Sequence, residues 1–376
     1  MKIIHLYLSN FRNYENLSIY FSNNFNIFIG NNAQGKTTLL ESIYLLAISK
    51  SHKTHRDKEL IKFNELFSKI SCLLQTDKRK IKLEVIISDS GKKVLVNDVE
   101  KRKISDYIGA FNVVFFAPED LEIVKGDPSK RRKFIDIEIG QISPIYIYHL
   151  NQYNRILKQR NEYLKQVTNK LNFDSNYLDT LTKQLSLHGS TIANYRFDFL
   201  KKLNKYASSL QKHISNFDES LEIKYKSSYQ FKENNINQEN IFNIYKNNYQ
   251  RDILVGNTQI GIQRDDIRFI VNGNDVSFYG SQGQQRTTAL ALKLSLINFI
   301  KCETDNYPIV LLDDVLSELD DIRQTQLLNC LTNKVQTFIT TTNISGLKNE
   351  LVEKADVFYI EKAKIIKRKG DKSGRQ

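Results

Sequence analysis

Apolar and polar residues alternate along the N-terminal segment: Ile4, Leu6 and Leu8, then Leu17, Ile19 and Phe21, fall at period two. That is the spacing of strands with one buried face. Residues 68–99 repeat it with Ile70, Cys72 and Leu74, then Ile81, Leu83 and Val85, then Val94 and Val96, broken by a Ser90-Gly91 turn. A small antiparallel sheet is predicted there. Between the two blocks, Phe25–Ile29 reads as a short buried strand, and Thr38–Leu46 has helical apolar spacing. Beyond residue 130 the texture changes. Leu178, Leu181, Leu185, His188, Ile192, Tyr195, Phe199, Leu203, Tyr206 and Leu210 recur every three or four positions, predicting one long amphipathic helix. An earlier helix is expected from Tyr148 to Gln166. The stretch 218–250 is polar and Asn-rich, with a strand candidate at Leu221–Tyr229, and strand character returns at Ile267–Val271 and Ile309–Leu312. The basic end, Lys364 to Gln376, is expected to be a mobile tail.

Gly30-Asn31-Asn32-Ala33-Gln34-Gly35-Lys36-Thr37 joins the predicted strand to the predicted helix and fits G-x-x-x-x-G-K-[ST]. Glycines let the loop turn its N–H groups, together with those of the helix N-terminus, toward a polyphosphate. Lys36 would then reach the β/γ-phosphates, Thr37 would ligate Mg²⁺, and Thr38 would follow in the same turn. A nucleotide, ATP with Mg²⁺, is the expected cofactor.

Tyr307-Pro308-Ile309-Val310-Leu311-Leu312-Asp313-Asp314 is an apolar strand delivering two carboxylates at its C-terminal end, where ligands bind in open α/β sheets. Asp313 is expected on the Mg²⁺ beside Thr37, and Asp314 is placed to orient or activate the attacking water. Lys36 and Asp313 stand 277 positions apart, so a large insertion divides the nucleotide-binding core. That architecture is similar to the ABC-type ATPases. Ser281-Gln282-Gly283-Gln284 looks like their signature, which contacts a γ-phosphate held by a second subunit. Ser317-Glu318-Leu319-Asp320 looks like their D-loop, and Thr340-Thr341-Thr342 ends a strand where transporters carry a switch histidine. The predicted fold is α/β: an ABC-type P-loop ATPase head, a mixed sheet with an adjoining antiparallel sheet, plus an inserted mainly helical lobe. The expected limits are residues 1–130 and 251–376 for the head and 131–250 for the helical lobe.

Composition adds less. With 376 residues, 40% of them hydrophobic, the chain can bury a sizeable core. A net charge of +13 suits a polyanionic partner. The clusters His52-Lys53-Thr54-His55-Arg56, Lys101-Arg102-Lys103, Lys130-Arg131-Arg132-Lys133 and Lys158-Gln159-Arg160 are candidate DNA-backbone contacts, with Lys53, Arg56, Arg131, Arg132 and Arg160 foremost. Arg131 and Arg132 have an alternative, pairing with carboxylates inside the second lobe. Three cysteines without C-x-x-C spacing point to a reducing compartment and away from a zinc site. The interrupted N-terminus does not read as a signal peptide, and no apolar run approaches the roughly 18 residues of a membrane span. A soluble, cytoplasmic protein with no membrane partner is expected.

With these segments in view, the chain resembles the RecF family of bacterial recombination mediators over nearly its whole length. The resemblance rests on Leu8–Tyr14, Asn32–Tyr44, Ser51–Thr54, Phe116–Leu121, Val124–Arg132, Gln159–Asn161, Ser281–Thr287 and, most specific, Leu311–Asp320. It implies ATP sandwiched between two protomers, so that Ser281, Gln282, Gly283 and Gln284 act in trans with Ser317 and Asp320 nearby. It further implies a homodimer on single-stranded and gapped duplex DNA, slow DNA-stimulated hydrolysis, RecR and RecO partners, and a place in replication, DNA repair and the SOS response. One segment departs from the family pattern: Gly261-Ile262-Gln263-Arg264-Asp265-Asp266 has Ile and Gln where Pro and His are usual. Gln263 hydrogen-bonds but does not titrate near neutral pH.

Three other readings compete. A transporter motor fits poorly with Asp314 in place of Glu and Thr in place of the switch His. A long-armed chromosome-maintenance ATPase needs coiled coils far longer than this insert. A scaffold that binds ATP only to dimerise gains support from Asp314, one methylene shorter than Glu.

Overall fold

The computed structural model of the chain describes residues 1–76, 79–168, 174–216, 218–230, 236–331, 335–343 and 352–368. It divides into two compact units, Met1–Asp120 with Lys293–Gln376, and Leu121–Leu292.

The first unit contains two six-stranded sheets. One is antiparallel throughout, in the order Tyr14–Tyr20, Lys2–Phe11, Phe67–Gln75, Lys80–Ser88, Gly91–Val96, Val99–Glu100. Its inward face carries the alternating residues, Leu6, Leu8, Leu17, Ile19, Ile70, Cys72, Leu74, Leu83 and Val85, all buried. The alternation misplaces one residue. A register shift between Ile3 and His5 turns Ile3 inward in place of Ile4, as a bulge does by adding a residue to one strand.

The second sheet is mixed. Its order is Lys364–Arg368, Ala355–Glu361, Phe25–Ile29, Thr337–Thr341, Ile309–Asp313, Val113–Phe116, parallel except for the antiparallel pairing of the first two. Its central strands are buried along their length, as parallel strands covered on both faces must be. Gln336 ties the sheets together, accepting from the Ile3 N–H at 2.7 Å and donating to the Ile3 carbonyl at 2.8 Å. The helix Lys36–Ile48 packs against strands of both sheets, and its residues from Leu39 to Ile48 are all buried. A helix that is apolar nearly all round belongs in such a place. Among its buried residues is one carboxylate, Glu41.

The predicted basic tail is partly wrong. Lys364–Arg368 form the edge strand of the mixed sheet, because Ile365 and Ile366 give the segment strand-forming residues. Residues 369–376 lie outside the described residues.

The second unit is mainly helical, with Pro128–Gly140, Pro144–Val167, Ser175–Ile214 and Gln238–Asn247 as its longer helices and a three-stranded sheet, Asn274–Asp275, Asp266–Val271, Leu221–Lys226. Ser143 and Asp174 cap the two longest helices by accepting the N–H groups of Tyr146 and Tyr177. The long helix is where predicted, but its buried stripe is rotated over part of its length. Arg196, Ala207 and Gln211 are buried where Tyr195, Tyr206 and Leu210 were expected. The reason is an interior lined with polar partners. The Arg196 guanidinium pairs with Asp136 at 2.8 Å and donates to the Ile262 carbonyl at 2.9 Å, and the Gln211 amide donates to Glu219 at 2.6 Å.

The unit boundaries also differ from the expected 130/131 and 250/251. Asp252, Thr258 and Asp266 bond to the helices of the second unit, so the stretch after 250 packs there as far as Leu292, within the helix Gln282–Thr304. Among the described residues no helix is long and apolar enough to cross a membrane.

Candidate functional site

The strand Phe25–Ile29 ends at Gly30, whose position is set by its neighbour. A Cβ there would stand 2.3 Å from the Ile360 carbonyl oxygen, so only glycine lets the loop pass. At the other end Gly35 has φ +105° and precedes the helix, a conformation that side chains disfavour. Tyr14 donates its hydroxyl to the Gly35 carbonyl at 3.1 Å. The hairpin turn between the two last strands holds Gln34, the Lys362 N–H donating to its side-chain oxygen at 2.6 Å and the Ala363 N–H to its carbonyl at 3.0 Å. The loop is therefore braced from two separate parts of the chain, Tyr14 and the hairpin around Lys362.

Lys36 turns back over the loop, its Nζ donating to the carbonyls of Gly30 (2.5 Å) and Asn31 (2.9 Å). Burial lowers its pKa, while Asp314 and Asp313 act in the opposite sense. Thr37 Oγ1 donates to Asp313 Oδ1 at 2.8 Å, joining residues that the sequence separates by most of its length. The parallel register that pairs Asp313 with Thr340 also brings the Thr340 hydroxyl to 2.8 Å from the same carboxylate oxygen. A cleft of about 290 Å³ opens here, lined by Asn13, Asn32, Ala33, Gly35, Lys36, Thr37, Thr38, Lys53, Asp313, Asp314 and Thr340. Its chemistry is a helix N-terminus and two ammonium groups for a polyanion, beside three threonine hydroxyls and two carboxylates. Thr37 and Asp313 offer hard oxygen donors side by side, the set Mg²⁺ prefers. Bound there, the ion would neutralise charge on phosphate oxygens.

Two of the lining residues, Asn13 and Lys53, were not expected in the cleft. Buried Glu41 on the phosphate-loop helix holds both segments that carry them. It accepts from Arg12 Nε (3.0 Å), Arg12 Nη2 (2.8 Å) and Ser51 Oγ (2.5 Å). Burial alone would raise its pKa, but the bonds from Arg12 and Ser51 outweigh it and hold the carboxyl below its usual range. Next to Ser51, His52 packs against Tyr44 and Phe115, and burial lowers its pKa to about 4. The signal for this arrangement was the pair of segments Leu8–Tyr14 and Ser51–Thr54 in the family resemblance, and nothing in either said which carboxylate Arg12 and Ser51 would share.

Ser281 caps the helix Gln282–Thr304 through a reciprocal pair of bonds: its N–H donates to Gln284 Oε1 at 3.0 Å, and its Oγ accepts from the Gln284 N–H at 3.2 Å. This is a capping box, and it leaves Ser281 and Gln282 exposed at a helix N-terminus. Ser317 donates to the Asp314 carbonyl at 2.7 Å and to its carboxylate at 3.2 Å. Asp320 caps the helix Asp321–Cys330.

The basic clusters divide. Lys53 and Arg56 are exposed. Arg131 is buried, its Nε 2.7 Å from Asp266 and its Nη1 on the Gly126 carbonyl. Arg160 is wholly buried, bonded to Asp252 (2.8 Å), Thr258 (2.6 Å) and Thr182 (3.1 Å). Half-buried Arg132 donates to the Asp265 carbonyl at 2.7 Å. The reading of Arg131 and Arg160 as DNA contacts is thereby corrected: each charge is spent on an internal carboxylate. Arg132 takes a backbone carbonyl. The segment Gly261–Asp266 serves the same interior. Gln263 accepts from the Tyr153 hydroxyl at 2.5 Å, and buried Asp265 accepts from the Ser228 N–H at 2.7 Å, leaving Arg264 exposed.

The family model for the RecF/RecN/SMC N terminal domain matches residues 2–366. The chain is 48% identical to the DNA replication and repair protein RecF of Enterococcus faecalis, over 97% of this chain and 98% of that one. It is 49% identical to the protein of the same name from Oceanobacillus iheyensis, over 96% and 98%. A solved structure described as the recombination mediator protein RecF-ATPrS in the RecFOR pathway superposes with a TM-score of 0.89 at 35% identity, covering 97% of each chain. Another, described as RecF-ATP, gives 0.88 at 34%. With a family model matched over residues 2–366 and relatives 48–49% identical over at least 96% of each chain, this chain belongs to the RecF family.

Proposed function

We propose that the chain is an ATP-dependent, DNA-binding recombination mediator of the cytoplasm, acting in replication, DNA repair and the SOS response. The observation that carries this reading is the cleft in which Lys36 and Thr37 meet Asp313 and Asp314; relatives solved with ATP and an ATP analogue support the choice of nucleotide. Lys36 and the loop N–H groups of Gly30–Thr38 bind the phosphates, Thr37 and Asp313 hold Mg²⁺, and Asp314 activates water. Ser281–Gln284 of a second copy closes on the γ-phosphate, with Ser317 and Asp320 at the same junction. ATP thus drives dimerisation, the dimer grips single-stranded or gapped duplex DNA, and slow hydrolysis releases it. RecR and RecO type proteins are the expected partners. Exposed Lys53 and Arg56 are the remaining candidates for contact with phosphate backbone, and Lys53 also borders the cleft.

The test is sedimentation of the chain with and without ATP and a gapped duplex, alongside ATP turnover at low salt. ATP-dependent dimers and DNA-stimulated turnover are expected in the wild type and absent in Lys36→Ala and Ser281→Ala. Turnover indifferent to DNA would refute the mediator reading. A dimerisation scaffold is the second reading, favoured by the short Asp314 side chain and its bond from Ser317. Equal single-turnover rates in wild type and Asp314→Asn would select it.

A further inference from the structure

Asp314 has φ 54°, a left-handed conformation that costs a residue with a Cβ on the order of 1 kcal/mol unless neighbours hold it. Both of its peptide groups are held by hydroxyls. On one side the Asp314 N–H donates to Thr340 Oγ1 at 3.0 Å. On the other, Ser317 Oγ donates to the Asp314 carbonyl at 2.7 Å. The Thr340 hydroxyl has a second task, donating its proton to Asp313 Oδ1 at 2.8 Å, and it is almost wholly buried. One oxygen therefore fixes the side chain of the first acid and the backbone of the second. The pairing register supplies it, since Asp313 and Thr340 are direct partners in parallel strands.

Thr37 also donates to Asp313 Oδ1 at 2.8 Å, with its oxygen lone pairs left for a cation. Thr340 sits deeper in the cleft wall than half-buried Thr37, 1% exposed, and its one oxygen also holds the Asp314 N–H. The geometry points to Thr340 as the positioning residue of this site. Its hydroxyl sets Asp313 toward Mg²⁺ and holds the left-handed turn that aims Asp314 at the water, the role a threonine can fill where transporters place a histidine on phosphate. The inference rests on the hydrolytic reading given under Proposed function.

Thr340→Val keeps the shape and removes the hydroxyl; Thr340→Ser keeps the hydroxyl. Three readouts apply to the full chain: ATP turnover, the Kd of a fluorescent ATP analogue without divalent ion, and Mn²⁺ affinity by electron paramagnetic resonance with the analogue bound. In Thr340→Val, turnover falls about thirty- to hundredfold, as about 1 Å of misplacement does. Mn²⁺ affinity falls about tenfold and the divalent-free Kd stays within about threefold, these magnitudes being set by loss of the Asp313 bond alone. Thr340→Ser returns turnover and Mn²⁺ affinity to within about threefold. Unchanged turnover and Mn²⁺ affinity in Thr340→Val would overturn the inference, as would failure of Thr340→Ser to restore them or a parallel loss of divalent-free binding. Should Thr340→Val fail to fold, Ser317→Ala decides: it removes the bonds to the Asp314 carbonyl and carboxylate and leaves the N–H side of the turn to Thr340, and unchanged turnover there refutes the clamp. If the wild type binds ATP without hydrolysing it, the hydrolytic reading falls, while the Mn²⁺ comparison still decides whether Thr340 orients Asp313.

Discussion

Glu41→Gln is the sharpest test of how the cleft is held together. The substitution keeps volume and removes the charge, and the surroundings offer an amide no comfortable orientation. Arg12 donates to both carboxylate oxygens, so an amide NH₂ in place of Oε1 lies against Arg12 Nη2, 2.8 Å away, and also against Ser51 Oγ, 2.5 Å away. That oxygen already accepts the N–H groups of Lys53 (3.0 Å) and Thr54 (3.2 Å), so two donors confront each other. If the amide flips, its oxygen keeps the bonds from Arg12 Nη2 and Ser51, but its NH₂ then faces Arg12 Nε, which only donates. Removing one partner of a buried ion pair costs about 3–5 kcal/mol. Here the Glu41 side chain is 2% exposed but Arg12 is 24% exposed, so water relieves part of the penalty and about 2–3 kcal/mol is expected. Urea unfolding of the first unit measures the loss, and hydrogen exchange of residues 10–14 and 51–56 localises it. Because Arg12 and Ser51 carry Asn13 and Lys53, nucleotide affinity falls as well. A stability change below about 0.5 kcal/mol, the range of an ordinary surface substitution, would refute the argument that Glu41 organises these segments.

Two further outcomes follow from buried charges. His52 has its pKa lowered by burial from 6.5 to about 4, and its Nδ1 is buried without a hydrogen-bond partner. Between those values the unfolded chain takes up a proton that the native ring refuses. Stability at this residue is therefore full above pH 6.5, declines as pH falls through the window, and levels off below about 4. Unfolding free energies from urea titration at pH 7 and pH 5 should differ by about 2 kcal/mol more in wild type than in His52→Gln, and an equal pH dependence would dismiss the effect. For Arg160→Ala, loss of a wholly buried ion pair predicts about 3–5 kcal/mol of destabilisation, read by thermal or urea denaturation. The salt dependence of DNA binding by the folded fraction stays unchanged, whereas a reduced salt slope with unchanged stability would restore Arg160 to the DNA surface.

Much of the site was legible because its parts are local. The phosphate loop needs glycine at Gly30 and Gly35 for reasons of backbone geometry, and the acids follow an apolar strand directly, so Lys36, Thr37, Asp313 and Asp314 could be named in advance. Strand alternation likewise located the antiparallel sheet, since period two is imposed by the pleat itself. Alternation failed only where a bulge exchanged Ile4 for Ile3. The basic clusters failed for a different reason. A run of Lys and Arg states charge, and whether that charge meets solvent or an internal carboxylate depends on segments far away, as Arg160 with Asp252 and Arg131 with Asp266 demonstrate. For the same reason a period of 3.6 found the long helix but placed Tyr195 inside, where the pairing of Arg196 with Asp136 decided otherwise.

By itself the sequence determined the kinds of element and the chemistry of the phosphate loop, because both arise from neighbours along the chain. Only the tertiary structure decided which distant residues complete the cleft. Thr340 reaches Asp313 through strand register, Asn13 and Lys53 reach it through Glu41, and Gln34 is held by a hairpin more than three hundred residues further on. Contacts of that range are set by how sheets pair and pack, and no local pattern carries them.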